Sequence, residues 1–217
     1  SSAVSILQLI SCTLVGYGLA RFSFKGQKLI FALVIFMLLV PPQVIMIPVF
    51  LNFRFFDLFG LLPKGGINFI GTYWPFILLS ATATSLRNGL FIYVMRQFFK
   101  GMPRALEEAA YVDGAGQLKT FFKVMLPGAT PAIVVVFLFS FVWQWNDDYL
   151  IRIFLNDATL LANTLSYLRY TIENESYQYV SLINNAGSLM FITPLLTLFI
   201  IMQRHFIESI ERTGLVG

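Results

Sequence analysis

Charge is scarce in this chain. Lys, Arg, Asp and Glu together make up 12 % of its 217 residues, against about 25 % in an ordinary soluble domain. Apolar residues make up 57 %, with 23 Phe among the aromatics. That surface is too large to be covered in water, so a soluble enzyme or nucleic-acid binder is excluded. Histidine occurs once, as His205 beside Arg204, where an interfacial role fits it better than catalysis. The single cysteine, Cys12, lies in an apolar run and excludes an internal disulfide. No His, Cys or carboxylate set has metal-ligand spacing, so no metal is expected. Lys64-Gly65-Gly66 has the wrong order for a phosphate-binding loop. Asp147 and Asp148 are neighbours, so their carboxylates need not converge on one bond as hydrolysis requires. The chain is read as non-catalytic.

What remains is an all-α polytopic membrane protein with a mean hydropathy of +0.74. Crossing a ~30 Å hydrocarbon core takes about 20 apolar residues. Five stretches satisfy that requirement, near 3–20, 29–51, 73–95, 128–150 and 181–203. Pro41, Pro42 and Pro48 should kink the second. No repeat or flexible linker divides the chain, so 1–217 is read as a single membrane domain. Its formal charge of +4 reflects topology. Arg21, Lys25, Lys28, Arg96, Lys100, Arg104, Lys119, Lys123, Arg204 and Arg212 fall on one side of the spans. Arg54, Lys64, Arg152 and Arg169 fall on the other. Ten against four places the segment 96–127 in the cytoplasm by the positive-inside rule.

That segment holds a charge-bearing island between two apolar runs. Pro103 suits a first helical position, and Arg104 to Val112 are good helix formers. Ala105, Ala109 and Ala110 allow close approach by another surface. Asp113-Gly114 gives a stop, because Gly adopts the left-handed conformation that ends helices. Gln117 to Met125 form a second short helix, closed by Pro127. The spacing predicts a hairpin over 103–127, small-faced and acidic through Glu107, Glu108 and Asp113, suited to a groove on another protein. A solvated hairpin packed on its own spans is the alternative reading.

The pattern Glu108-Ala109-Ala110, Gly114, then Val124-Met125-Leu126-Pro127 resembles the cytoplasmic-loop motif of ABC importer permeases, with Val124 where Ile is more usual. Gly18–Gly26, Val40-Pro41-Pro42-Gln43-Val44, Ile47-Pro48, Thr72-Tyr73-Trp74, Met95–Phe99 and Trp145-Asn146-Asp147 are similar to the carbohydrate-type branch. That branch is of the maltose G and glycerol-phosphate E kind. The loop around Phe59–Gly66 looks longer than usual for the group. The resemblance implies a permease subunit forming half of a translocation pathway, most simply for a sugar or oligosaccharide. Glycerol phosphate or polyamine is the alternative solute. It also implies a sixth span ahead of the first, and a bacterial or archaeal cytoplasmic membrane. The implied partners are a homologous second permease, an ABC ATPase dimer and an extracytoplasmic solute-binding protein, besides the lipid bilayer. The chain itself would carry no cofactor, since ATP and Mg would bind the ATPase. Leu106, Glu107, Glu108, Ala109, Ala110, Asp113, Gly114 and Ala115 would form the ATPase-binding face.

Polar groups inside the apolar runs mark the pathway. Arg87 and Asn88 fall midway along the third span, where a central Arg costs on the order of 3 kcal/mol on insertion scales and must face protein or water. Arg87 either contacts substrate or pairs across to the partner permease. Trp143, Gln144, Trp145 and Asn146 end the fourth span, either as an aromatic belt or as a sugar-stacking surface. Asn184 and Ser188, with Asn185, either line the path or bond neighbouring helices. A secondary transporter would need intramembrane carboxylates, yet all eleven acids lie at span ends or in loops. A non-transporting membrane scaffold would not need the hairpin motif.

Overall fold

The computed structural model describes residues 1–57, 60, 66–85, 87–155 and 177–214, and for 177 and 205–214 the backbone alone. The predicted long outer loop (Phe59 and 61–65), most of the outer segment 151–180 and the His205 side chain lie outside the described residues. Among the described residues the only β pairing is one antiparallel bridge, Phe56 to Ile67.

The first helix, α1 (Ser2–Arg21), is one unbroken apolar run. After Gly26, held at φ 92°, α2 (Gln27–Leu39) begins. The chain then folds back through Val40-Pro41 into α3 (Pro42–Arg54). The α2–α3 bend is 108°, far more than the kink expected of the 29–51 span. The residue before a proline is driven out of the helical region, and here Pro41 precedes Pro42 with ψ 135°.

The expected span 73–95 is two helices, α4 (Trp74–Ala81) and α5 (Asn88–Gly101). Between them Ala83 holds φ 57°, a left-handed conformation unfavourable to any residue with a Cβ. Ser11 Oγ donates to the Ser80 carbonyl across this end at 2.6 Å. The break moves Arg87 from mid-helix to the cap of α5.

Beyond α5 comes α6 (Ala105–Val112), starting two residues after Pro103 with Arg104 at its cap. Asp113 ends it, and Gly114 takes φ 75° as expected of a helix stop. Next, α7 (Gln117–Thr120) runs through a π turn at Phe121–Met125 into α8 (Leu126–Gly128). Pro127 therefore does not close this helix. It sits in the first turn of α8, where its missing N–H is tolerated. The turn before it is a wider π turn, in which the Leu126 N–H reaches the Phe121 carbonyl.

After a 74° bend, α9 (Thr130–Trp145) leads to α10 (Asp148–Leu155). Finally α11 (Tyr177–Gly214) extends the expected span 181–203 to 38 residues. Among the described residues, Ser2–Arg21 and Gln178–Arg204 are the single helices long and apolar enough to cross a membrane, and each bent pair can make one more span.

At the centre α1 packs against α5, α9 and α4, while α2 covers α5 and α11 leans on α9. Cys12, Tyr17, Met95, Phe99, Phe121, Met125 and Val136 form the main core. Met46, Phe53, Phe76, Ile151 and Phe154 form a second. Two glycines set the helix spacing. A Cβ at Gly16 would lie 2.7 Å from Met95 Cβ, and one at Gly89 would lie 2.9 Å from the Val34 carbonyl oxygen. Leu29, Ile47, Leu182 and Ile201 are exposed, so the exterior of the bundle is apolar.

Candidate functional site

A cavity of about 160 Å³ opens where α1, α9 and the α4–α5 break converge. Gln8 comes from α1, Ser85 and Arg87 from the break, and Ser140, Trp143 and Gln144 from α9. Gln43 at the start of α3 and Asp147 past the end of α9 complete the polar lining. Arg87 is exposed to the cavity and places Cζ 5.1 Å from the centre of a Trp143 ring. Such a cation–π contact orients a guanidinium without neutralising it. The Asp147 carboxylate accepts from the Leu150 N–H at 3.0 Å.

Behind the cavity, Ser140 Oγ donates to Gln8 Oε1 and Gln8 Nε2 donates to Asn88 Oδ1. Three helices are thereby tied at one depth. Asn88 is fully buried, and its Nδ2 has no partner among the described residues. A guanidinium, an indole face, primary amides and hydroxyls together offer stacking and many hydrogen bonds, as a hydroxyl-rich solute needs.

Of the residues singled out in sequence, Arg87, Trp143 and Gln144 line this cavity and Asn88 stands behind it. Trp145 and Asn146 do not join them. The Trp145 indole N–H donates to the Phe191 carbonyl at 3.1 Å, tying α9 to α11, and Asn146 Nδ2 donates to the Val142 carbonyl at 2.7 Å. Successive helical residues turn by about 100°, so 143 and 145 cannot share a face. On α11, Asn184 is half-buried and Ser188 exposed, and neither lines the cavity. Gln8 and Ser140 were missed. Ser140 is a lone polar residue in an apolar run, and Gln8 is the one amide among the small polar residues Ser5, Ser11 and Thr13; a polar group placed there is itself a functional signal.

The hairpin places Glu108, Ala109, Asp113 and Gly114 on its outer side, with Leu106 exposed and Ala115 half-buried. Glu107 and Ala110 depart from expectation, because both face inward. Glu107 is 8 % exposed and accepts from the Tyr17 hydroxyl at 2.9 Å. Arg21 Nε lies 3.4 Å from its other oxygen. One helical turn brings 107 and 110 to the same face, and from that face Glu107 reaches the Tyr17 and Arg21 side chains of α1. The tip is more apolar than the charge count suggested, with Val112 88 % and Leu118 75 % exposed.

Residues 13–211 match the model of the family described as binding-protein-dependent transport system inner membrane component. The chain belongs to that family. This permease is 32 % identical to the arabinooligosaccharides transport system permease protein AraQ of Halalkalibacterium halodurans, over 100 % of this chain and 71 % of the relative. It is 31 % identical to the osmoprotective compounds uptake permease protein GgtD of Synechocystis, covering 95 % of this chain and 64 % of that one. The maltodextrin transport system permease protein MdxG of Bacillus subtilis is 30 % identical, over 99 % and 72 % of the two chains. In fold the permease is similar to a chain of a bacterial ABC transporter that imports the acidic polysaccharide alginate. The TM-score is 0.67 at 22 % identity, over 95 % of this chain and 74 % of that one. Family membership makes the chain an inner-membrane transport component and not a catalytic subunit.

Proposed function

We propose that this permease forms one half of the translocation pathway of an ATP-driven importer for a sugar or oligosaccharide. A homologous permease supplies the other half. An extracytoplasmic solute-binding protein delivers the solute, and a separate ATPase dimer binds ATP and Mg. The observation that carries the reading is a cavity lined by Gln8, Arg87, Ser140, Trp143 and Gln144 inside a bundle whose exterior is apolar. The sugar-named relatives support the choice of solute class. The hairpin 103–127, with Glu108 and an apolar tip at Val112 and Leu118 exposed, is the docking face for the ATPase. Alternating access follows if docking differs in free energy between inward- and outward-open states.

The test is uptake of labelled arabino-oligosaccharide and maltodextrin into cells carrying the full transporter, with wild-type chain or Arg87→Ala. Arg87→Ala should lower uptake about tenfold or more, the worth of a hydrogen bond from a charged group, while the ATPase still co-purifies. Unchanged uptake of both removes Arg87 from the pathway. Uptake of glycerol phosphate or polyamine alone replaces the sugar. Uptake abolished by an ionophore but not by ATP depletion points to a secondary transporter instead.

A further inference from the structure

Helix α1 touches both functional regions. At its cytoplasmic end Tyr17 donates to Glu107 Oε1 at 2.9 Å, and Arg21 Nε lies 3.4 Å from Glu107 Oε2. Arg21 Nη2 also donates to the Met102 carbonyl at 2.7 Å, at the entrance to the hairpin. All three side chains are buried, in a cage of Phe22, Phe99 and Phe121 around the Tyr17 ring. At its other end Gln8 lines the cavity and bonds Asn88 on α5 and Ser140 on α9. Gln8 and Tyr17 lie nine residues, or roughly 14 Å, apart on one uninterrupted helix without an internal proline.

We infer that α1 is a rigid strut that carries hairpin movement to the cavity, with Glu107, Tyr17 and Arg21 as its positioning residues. A hairpin displaced by its motor either takes α1 with it or strands the Glu107 carboxylate, buried and unpaired, which is strongly unfavourable. Moving α1 then moves Gln8, and through Gln8 the α5 and α9 walls of the cavity. Glu107 thus differs in role from Glu108: one clamps inward to the strut and the other faces outward. The inference rests on the ATP-driven permease reading above.

The whole transporter, purified through a tag on this chain and placed in lipid nanodiscs, provides the test. In a Cys12→Ser background, Ser85→Cys puts a thiol on the cavity wall. Its rate of reaction with a water-soluble maleimide is followed with and without ATP plus vanadate. The chain with its clamp intact should show a change of about tenfold, within the range of ordinary coupling energies. Adding Tyr17→Phe with Glu107→Gln should reduce that change to less than about twofold while the ATPase stays bound and hydrolysis continues. Should the double variant fail to assemble, Tyr17→Phe alone removes one hydroxyl and should still blunt the response. A full response in the clamp variants overturns the strut, as does a parallel fall in hydrolysis and labelling, which a merely structural role would give. If the chain with its clamp intact retains no ATPase or shows no nucleotide response, the permease reading fails rather than the strut.

Discussion

Gly16→Leu is expected to abolish assembly of the helix bundle. A Cβ at this position already lies 2.7 Å from Met95 Cβ and 3.0 Å from the Arg96 nitrogen, and leucine adds three further carbons. The second of those neighbours is backbone and cannot rotate away. Overpacking in cores costs about 1–3 kcal/mol when side chains can yield. Here α1 and α5 must separate, so the effect belongs at or beyond the top of that range. That is comparable with a large part of a domain's whole margin. Gly18 provides the control, because a Cβ there meets nothing within 4 Å. Thermal midpoints of the detergent-purified transporter should therefore collapse for Gly16→Leu and hold for Gly18→Ala. Equal midpoints would show that α1 and α5 are not in close contact at residue 16.

Glu108→Lys should reduce uptake about a hundredfold or more if the ATPase groove that receives this acidic residue is basic, because a like-charge contact costs several kcal/mol. Glu108 is exposed in the first turn of α6, so reversing its charge leaves the internal packing intact. Gly114→Asp should have a similar effect on uptake. Its φ of 75° makes any L side chain unfavourable by roughly 1–2 kcal/mol, yet an added Cβ would touch nothing. Both variants should reach the membrane in normal amount and lose the ATPase on purification. Normal uptake by Glu108→Lys would remove the hairpin from coupling.

Much of this was legible in the residues. A continuous apolar run suffices to specify a helix, and 3–20 became Ser2–Arg21. Averaged hydropathy could not resolve 73–95, because the polar Thr82–Ser85 stretch is too short to offset its flanks. Ala83, which takes the left-handed conformation there, is not a residue that announces a turn. The prolines near 41 were read correctly as a disruption, but their position does not give its angle. Arg87, Trp143 and Gln144 stood out as polar or amphipathic groups in apolar sequence. Adding Trp145 and Asn146 treated neighbours along the chain as neighbours in space. Glu107 and Glu108 look alike on paper, and only the packing of residue 17 against residue 107 separates them.

The brevity of α4 bears on how the chain enters the bilayer. Eight residues of helix rise about 12 Å, less than half of the hydrocarbon thickness, and their partner α5 begins with a polar cap. Such a segment has little tendency to partition into lipid by itself during synthesis. It has to be received by α1, which is already in place and packs against it. Biogenesis would then be cooperative, and a lesion in α1 would surface first as a misplaced or degraded α4–α5 segment, before any defect in transport could be measured.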